Sequence, residues 1–305
     1  MYKLRFPKFS LRTLILVISL LIILLGYSFS GRIRQKQAIA WVERNHGSYS
    51  YGGGTIGEFD PKAPSPPTKL RDLLDLDFYY PLDLIDLTNT QVDDITPLSS
   101  LKQLKFVLLG NTMVNDLSAL SGLNNLEALE LNDTPVDDLS PLSNLENITL
   151  LRISGTNVSD LSSLSNITKI NFLEFNHTQI TDLTPIQNFS NLHLLYCNNT
   201  PISDLSPLRQ LDNLHRLDFS NTKVSDLSPI GHLTDIRELN LHNTPVTDLK
   251  PLYKTRCQRL NLVGCKISEA EIKAFEAAVP DCKILRPNDP LPVPPKMLVL
   301  PKHQM

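Results

Sequence analysis

The sequence predicts an α/β solenoid with a parallel β-sheet on the concave face, short turns or 3-10 segments on the convex face, and helical caps. Three observations predict it. Threonine recurs at 90, 112, 134, 156, 178, 200, 222 and 244, every interval being 22 residues. Aspartate recurs four residues later in every copy, at 94, 116, 138, 160, 182, 204, 226 and 248. The second half of each unit has aliphatic spacing of the form L-x-x-L-x-L, as in Leu104-Val107-Leu109, Leu126-Leu129-Leu131, Ile148-Leu151-Ile153 and Leu214-Leu217-Phe219. A fixed period of this length marks a stacked array, in which each unit is one rung.

Each part of the unit has a local reason. The L-x-L pair alternates with period two, so it forms a short strand with one face buried. A branched aliphatic two residues after each Thr (Val92, Val114, Val136, Val158, Ile180, Ile202, Val224, Val246) turns the chain back inward. The Asp-Leu-Ser-Pro-Leu segment, as at Asp138 to Leu142, places a capping residue ahead of a proline. That suits one tight helical turn and no longer helix. A single unit buries too few aliphatics to offset the entropy of ordering its backbone, so the units must stack. Nine rungs are expected, from Leu82-Ile85-Leu87 to Cys257-Leu260-Leu262.

The pattern L-x-x-L-x-L-x-x-T-x-V-x-D-L-x-P-L resembles leucine-rich repeats of the short, 22-residue type known from bacterial internalins. The resemblance covers about Leu82 to Ile267. In that family the turn position usually carries Asn; here it is Thr, and Cys265 in the last unit. A Thr hydroxyl can take over part of the same hydrogen bonding. Fold resemblance alone does not establish function, since repeat arrays of this kind serve many partners; no enzyme is expected, because no catalytic motif occurs. The opening Phe9-Ser10-Leu11-Arg12-Thr13-Leu14, followed by an apolar run, also resembles the anchors of leucine-rich repeat proteins of planctomycete-type bacteria.

The ends of a solenoid need cover. At the C-terminal end, Ser268-Glu269-Ala270-Glu271 reads as a capping box, with Ile272, Phe275, Ala278 and Val279 on one helical face. Val279, Cys282 and Ile284 repeat the L-x-x-L-x-L spacing, which predicts a truncated tenth strand. At the other end Gln35 to Asn45 reads as a helix using Ala38, Ile39, Trp41 and Val42, stopped at Gly47, and Ser48 to Tyr51 alternates like a strand. Leu70, Leu73 and Leu74 are expected to form a cap helix over the first rung. The predicted organisation is a basic segment 1–12, an apolar anchor 13–31, a helix-strand element 32–59, a Pro-rich linker 60–69, the repeat domain with its caps 70–285, and a Pro-rich disordered tail 286–305.

Charge separates the chain into unlike parts. Residues 1–36 carry seven basic residues and no acid, whereas the remainder carries 22 basic against 32 acidic residues. A repeat region that acidic is a poor nucleic-acid binder. No charge interrupts Thr13 to Gly31, a run of 19 residues. At ~1.5 Å per residue it spans about 28 Å, close to the hydrocarbon core of a bilayer. It reads as a single-pass anchor with a cytoplasmic N-terminus and the repeats outside the cytoplasm. A cleaved signal peptide ending near Ser28-Phe29-Ser30 is the alternative.

Few residues invite chemistry. The Asp ladder has the regularity of a calcium column, but one carboxylate per rung lacks the oxygen ligation calcium needs. Each is expected to cap its own turn instead. His193 and His215 share a repeat position one rung apart, and no Cys, Asp or Glu joins them at metal-site spacing. Cys197, Cys257, Cys265 and Cys282 fall on core positions and read as buried thiols, with Cys257 and Cys282 out of bridging reach. No metal site, cofactor motif or paired nucleophile and base is found. Sequons such as Asn132, Asn147, Asn166 and Asn198 arise from the repeat itself.

The outward-facing strand positions are more informative. One column reads Leu84, Phe106, Ala128, Leu150, Phe172, Leu194, Arg216, Glu238, Arg259; the next reads Asp86, Leu108, Glu130, Arg152, Glu174, Tyr196, Asp218, Asn240, Asn261. An apolar stripe where a solvated sheet should be polar marks an interaction site. The expected partner-binding residues are Phe106, Leu108, Leu150, Phe172, Leu194 and Tyr196, with Arg216 and Glu238 at the rim. The expected partner is a protein or peptide. A structural or glycan-binding role in the cell envelope, through aromatic stacking on sugars, is the second class.

Overall fold

The computed structural model describes residues 33–51 and 82–289. The segments 1–32, 52–81 and 290–305 fall outside the described residues. The expectations for the basic segment, the apolar run, the linker and the Leu70-Leu73-Leu74 cap helix therefore all lie outside them. Among the described residues no helix is long and apolar enough to cross a membrane.

A helix α1 (33–44) leads into β1 (Ser48–Tyr51). Then follow β2 (Leu82–Asp86), β3 (Phe106–Leu108), β4 (Ala128–Glu130), β5 (Leu150–Arg152), β6 (Phe172–Glu174), β7 (Leu194–Tyr196), β8 (Arg216–Asp218), β9 (Glu238–Asn240) and β10 (Arg259–Asn261). Helix α2 (Glu269–Ala278) and β11 (Lys283–Leu285) close the described chain. The eleven strands form one sheet in sequence order. The nine expected rungs are β2 to β10, all parallel, each paired with the residue 22 positions on until the last interval, which is 21. Between consecutive rungs runs a 3-10 segment, from Thr96–Ser100 to Lys250–Leu252.

The repeat positions do what their chemistry requires. The inward aliphatics, such as Leu126, Leu129, Leu131, Val136, Leu139 and Leu142, are essentially inaccessible and form one continuous core. Each ladder Thr donates its hydroxyl to the carbonyl three residues back, from Thr90 to Leu87 through Thr244 to Leu241, at 2.6–2.8 Å. In the last unit the Cys265 thiol donates to the Leu241 carbonyl instead. Each ladder Asp accepts the backbone N–H two residues on, at 2.8–2.9 Å in all eight copies. The carboxylates thus close their own turns.

One column escaped the sequence reading. The residue before each Thr position has positive φ: Asn89, Asn111, Asp133, Gly155, His177, Asn199, Asn221, Asn243 and, in the last unit, Gly264. Asn, Asp and Gly tolerate this left-handed conformation best. It aims the backbone N–H along the solenoid, onto the next rung's carbonyl: Asn111 to Asn132, Gly155 to Asn176, Asn199 to Ser220. The inter-rung ladder thereby extends beyond the short strands.

Both ends are covered. β1 pairs antiparallel with β2, Tyr49 opposite Ile85, and α1 buries Ala38, Ile39 and Val42 in the same core. Gly47 lies so close to β2 that a Cβ there would meet the Leu87 side chain at 2.5 Å and the Asp86 carbonyl at 2.9 Å. At the other end Ser268 caps α2 by accepting from Glu271 N, while Ile272, Phe275 and Val279 are buried. Two details of the expected capping box are corrected. The Glu271 carboxylate does not turn back to Ser268 but accepts from Leu249 N and the Tyr253 hydroxyl, tying the cap to the turn between β9 and β10. Ala278 is exposed, because at ~100° per residue it falls outside the face that buries Ile272, Phe275 and Val279.

The truncated strand forms as β11, but its register is two residues from the expected one. Ile284 pairs with Leu260, so Ile284 and not Cys282 takes the central strand position. A shift of two preserves which side chains face inward. The expected disorder from Arg286 onward is also corrected for 286–289: Arg286 reaches Glu269 and Glu276 at 2.8 and 2.6 Å, and Gly264 N donates to Pro287 O.

Candidate partner-binding surface

Parallel, in-register pairing brings residues 22 apart side by side, so both outward columns form as read. Leu84, Phe106, Ala128, Leu150, Phe172, Leu194, Arg216 and Glu238 follow one another across the sheet. Asp86, Leu108, Glu130, Arg152, Glu174, Tyr196 and Asp218 run beside them.

Exposure, however, is uneven. Phe106, Leu108, Leu150, Leu194, Tyr196, Arg216 and Glu238 are half-buried and reach solvent. Phe172, expected as the central anchor, is only 7% exposed. Tyr196 packs edge-on against it, with ring centroids 5.5 Å apart at 81°, and the Arg152 guanidinium sits 5.1 Å from its ring centre. Phe172 is therefore a floor beneath these two side chains, not an open anchor. Ala128 is buried too, since larger neighbours stand on either side.

The centre of the face is an ion cluster. Arg152 lies between Glu130 and Glu174, 3.4 Å from each. The Glu174 side chain is only 8% exposed and also accepts from Ser154 Oγ and Asn176 Nδ2. Burial pushes the Glu130 carboxyl above its usual range, against the opposing pull of Arg152. Arg152 Nε is buried without a hydrogen-bond partner. These three residues were visible in the second column but not singled out. The available signal was the alternation of charge, Glu-Arg-Glu, at one repeat position on consecutive rungs.

Towards the C-terminal end the face becomes charged and open. Glu238 pairs with both Arg216 and Arg259. Burial raises the Tyr196 hydroxyl's pKa, while Arg216 beside it acts the other way. The His193 and His215 rings stack edge-on at 5.3 Å, and Asp235 does approach His215, its carboxylate 3.6 Å from Nδ1. Among the described residues no group of three or more His, Cys, Asp or Glu is placed to hold a metal ion. The ladder carboxylates remain on the turns; hydrogen bonds from the Ser or Thr two residues on hold Asp94, Asp138, Asp160, Asp204 and Asp226 below the usual range.

The four cysteines are free thiols, three buried and Cys282 half-buried. The expectation that Cys257 and Cys282 lie out of reach is corrected. The two-residue shift of β11 leaves them one residue out of line on neighbouring strands.

Comparison with known proteins bears on the same repeats. A family profile described as "Leucine Rich repeats (2 copies)" matches residues 168–210 and again 212–254. Internalin C2 of Listeria monocytogenes superposes with a TM-score of 0.59 at 26% identity, over 64% of this chain and 83% of that one. The profile and the superposition fall on the same repeats, and the solenoid is similar to that of a bacterial internalin. A leucine-rich repeat protein of Leptospira interrogans shares the fold at 19% identity and a TM-score of 0.58, over 65% of this chain and 59% of its own. So does the leucine-rich repeat ectodomain of the Arabidopsis thaliana receptor kinase GASSHO1/SCHENGEN3, solved with Casparian strip integrity factor 2: 18% identity, TM-score 0.54, 62% of this chain and 28% of that ectodomain. No curated protein sequence matches the chain. The leucine-rich repeat domain thus resembles protein-interaction modules in architecture.

Proposed function

We propose that this is a membrane-tethered recognition protein whose leucine-rich repeat domain, held outside the cytoplasm, binds an extended segment of a protein or peptide on its concave face. One observation carries the reading. The half-exposed side chains Phe106 and Leu108 on β3, Leu150 on β5, and Leu194 and Tyr196 on β7 form an apolar band interrupted by the Glu130–Arg152–Glu174 cluster and bordered by the charged Arg216 and Glu238. Apolar groups on an open sheet face gain by being covered, and side chains of this kind serve as anchors. From Phe106 to Glu238 the band crosses seven strands, about 29 Å at ~4.8 Å per strand, which matches roughly nine residues of extended chain at ~3.3 Å each. The Arabidopsis ectodomain, solved with its ligand, offers an analogy of fold alone.

The tether rests on the uncharged run Thr13 to Gly31 with basic residues on both sides. Retention of the full chain in membranes through alkaline extraction, with protease reaching the repeats only from outside, is the expected outcome. Release by alkaline wash would remove the anchor from the proposal.

Binding is tested by photo-crosslinking in the native host, with the crosslinker at Leu194 and a control at the exposed Ser165. A discrete protein adduct at Leu194 alone is expected. Equal labelling at both positions, or none at either, would refute the concave site.

A further inference from the structure

The C-terminal end of the solenoid holds a pair of cysteines that the binding surface does not use. Cys257 precedes β10 and Cys282 immediately precedes β11, and these strands are neighbours with Arg259 opposite Lys283. Lys283 N donates to the Gln258 carbonyl at 2.9 Å, so the residue following each cysteine is pinned to the other's segment. Neighbouring strands lie ~4.8 Å apart, and a one-residue offset at ~3.3 Å per residue puts the two Cα atoms about 6 Å apart. That lies within the range a disulfide spans. Each sulfur lies beside a carbonyl of one register pair of these two strands. Cys257 Sγ lies 3.3 Å from the Arg259 carbonyl oxygen, and Cys282 Sγ lies 4.0 Å from that of Lys283, the residue opposite Arg259.

The two thiols are unequal. Cys257 is buried, 2% exposed, whereas Cys282 is half-buried and accessible. The neighbouring Cys257 thiol holds the Cys282 thiol below its usual range, while Cys282, with burial, raises Cys257. A lowered, accessible thiol is the attacking partner in thiol–disulfide exchange.

We propose that Cys257 and Cys282 are a redox pair that closes to a disulfide and locks the C-terminal cap onto the last full rung. The Cys282 thiolate attacks one sulfur of a small disulfide oxidant, forming a mixed disulfide and releasing one thiolate. Cys257 then gives up its proton, attacks Cys282 Sγ and expels the second thiolate. Two cysteine thiols are oxidised, and one external disulfide is reduced to two thiols. The bond closes a loop from 257 to 282 that contains all of α2. It also staples β11, whose single strand partner among the described residues is β10. An edge strand of three residues is where a solenoid opens first, so the bond acts where local stability is lowest. Cys197 and Cys265 are internal controls. Both are buried, and their thiols donate to the Asp218 and Leu241 carbonyls.

The test uses the full chain in detergent micelles, purified reduced and then exposed to oxidised glutathione. Tryptic mapping should recover Cys257–Arg259 linked to Ala274–Lys283, with the intact mass about 2 Da lower and no lasting glutathione adduct. Amide exchange over 269–285 should slow about tenfold or more on oxidation and return on reduction. Cys282→Ser and Cys257→Ser should each abolish the linked peptide. Because either variant could disturb the cap, the wild-type map is decisive by itself. Glutathione left on Cys282 with Cys257 still alkylatable, both thiols unreacted, or a linked peptide with unchanged exchange in the cap would each overturn the proposal.

Discussion

Replacing Arg152 with Met tests whether the central ion cluster organises the concave face. Met keeps an unbranched apolar stem over Phe172 and removes the charge. Glu130 and Glu174, 18% and 8% exposed in their side chains, then share a low-dielectric site without a cation. Removing one partner of a fully buried pair costs ~3–5 kcal/mol. Here the Arg side chain is 23% exposed and its contacts are 3.4 Å long. The cost should therefore be scaled down, to about 2 kcal/mol. In a domain of this size that lowers Tm by about 4–8 °C. The pH dependence identifies the cause. Burial already raises the folded pKa of Glu130, so its ionised form costs stability as pH rises through that value. Losing Arg152, which opposes the shift, raises it further. The penalty of Arg152→Met should be largest at pH 7 and shrink in acid, as the Glu130 carboxyl takes up its proton. Adding Glu174→Gln should recover part of it. Thermal unfolding followed by circular dichroism at pH 7 and pH 4.5 measures both. A Tm within about 1 °C of wild type at pH 7, or an equal loss at both pH values, would refute the reasoning.

Three further outcomes follow from the repeat chemistry. Burial raises the Asp83 carboxyl to about 6, against the pull of Lys105, so the folded state binds its proton more tightly than the unfolded chain does. Asp83 should cost stability progressively as pH rises towards and through 6, and Asp83→Asn should add roughly 1–2 kcal/mol at pH 7 after allowance for solvent screening, measurable by urea unfolding at pH 4 and 7. Thr178, 1% exposed, donates to the Phe175 carbonyl; Thr178→Val should leave that carbonyl unsatisfied and cost about 1–3 kcal/mol, with Thr178→Ser closer to wild type in the same assay. Gly155 has φ +67°, and a Cβ there would meet Asp133 Oδ1 at 2.3 Å; Gly155→Ala should cost at least ~1–2 kcal/mol, and adding Asp133→Ala should return the steric part but not the backbone part.

Much of the architecture can be read locally because each rung repeats the same short-range solution. The Thr and Asp ladders act within three residues of themselves, and every copy makes the bond its chemistry suggested. The left-handed column was equally local, and Asn, Asp and Gly recurring before Thr carried its signal. The first rung's cover was harder to place. Ser48 to Tyr51 reads as a strand, but antiparallel pairing to β2 depends on a partner more than thirty residues away. β11 failed differently. Its alternation fits two registers that differ by two residues, and hydrophobic pattern alone does not separate them.

The candidate surface divides along the same line. That Leu150, Phe172 and Leu194 share one column follows from the 22-residue period and parallel pairing alone. Which of them stays open does not, because it depends on where the neighbouring long side chains turn. Tyr196 and Arg152 fold over Phe172, while Leu150 and Leu194 stay half-exposed on either side. The sequence by itself determined the rungs, their core and their turns, since those rest on backbone hydrogen bonds and burial repeated every 22 residues. Only the tertiary structure decided the buried Phe172, the Glu130–Arg152–Glu174 cluster and the meeting of Cys257 with Cys282. Each of these is a contact between side chains on different rungs, set by rotamer and register, and no periodicity along a single chain encodes it.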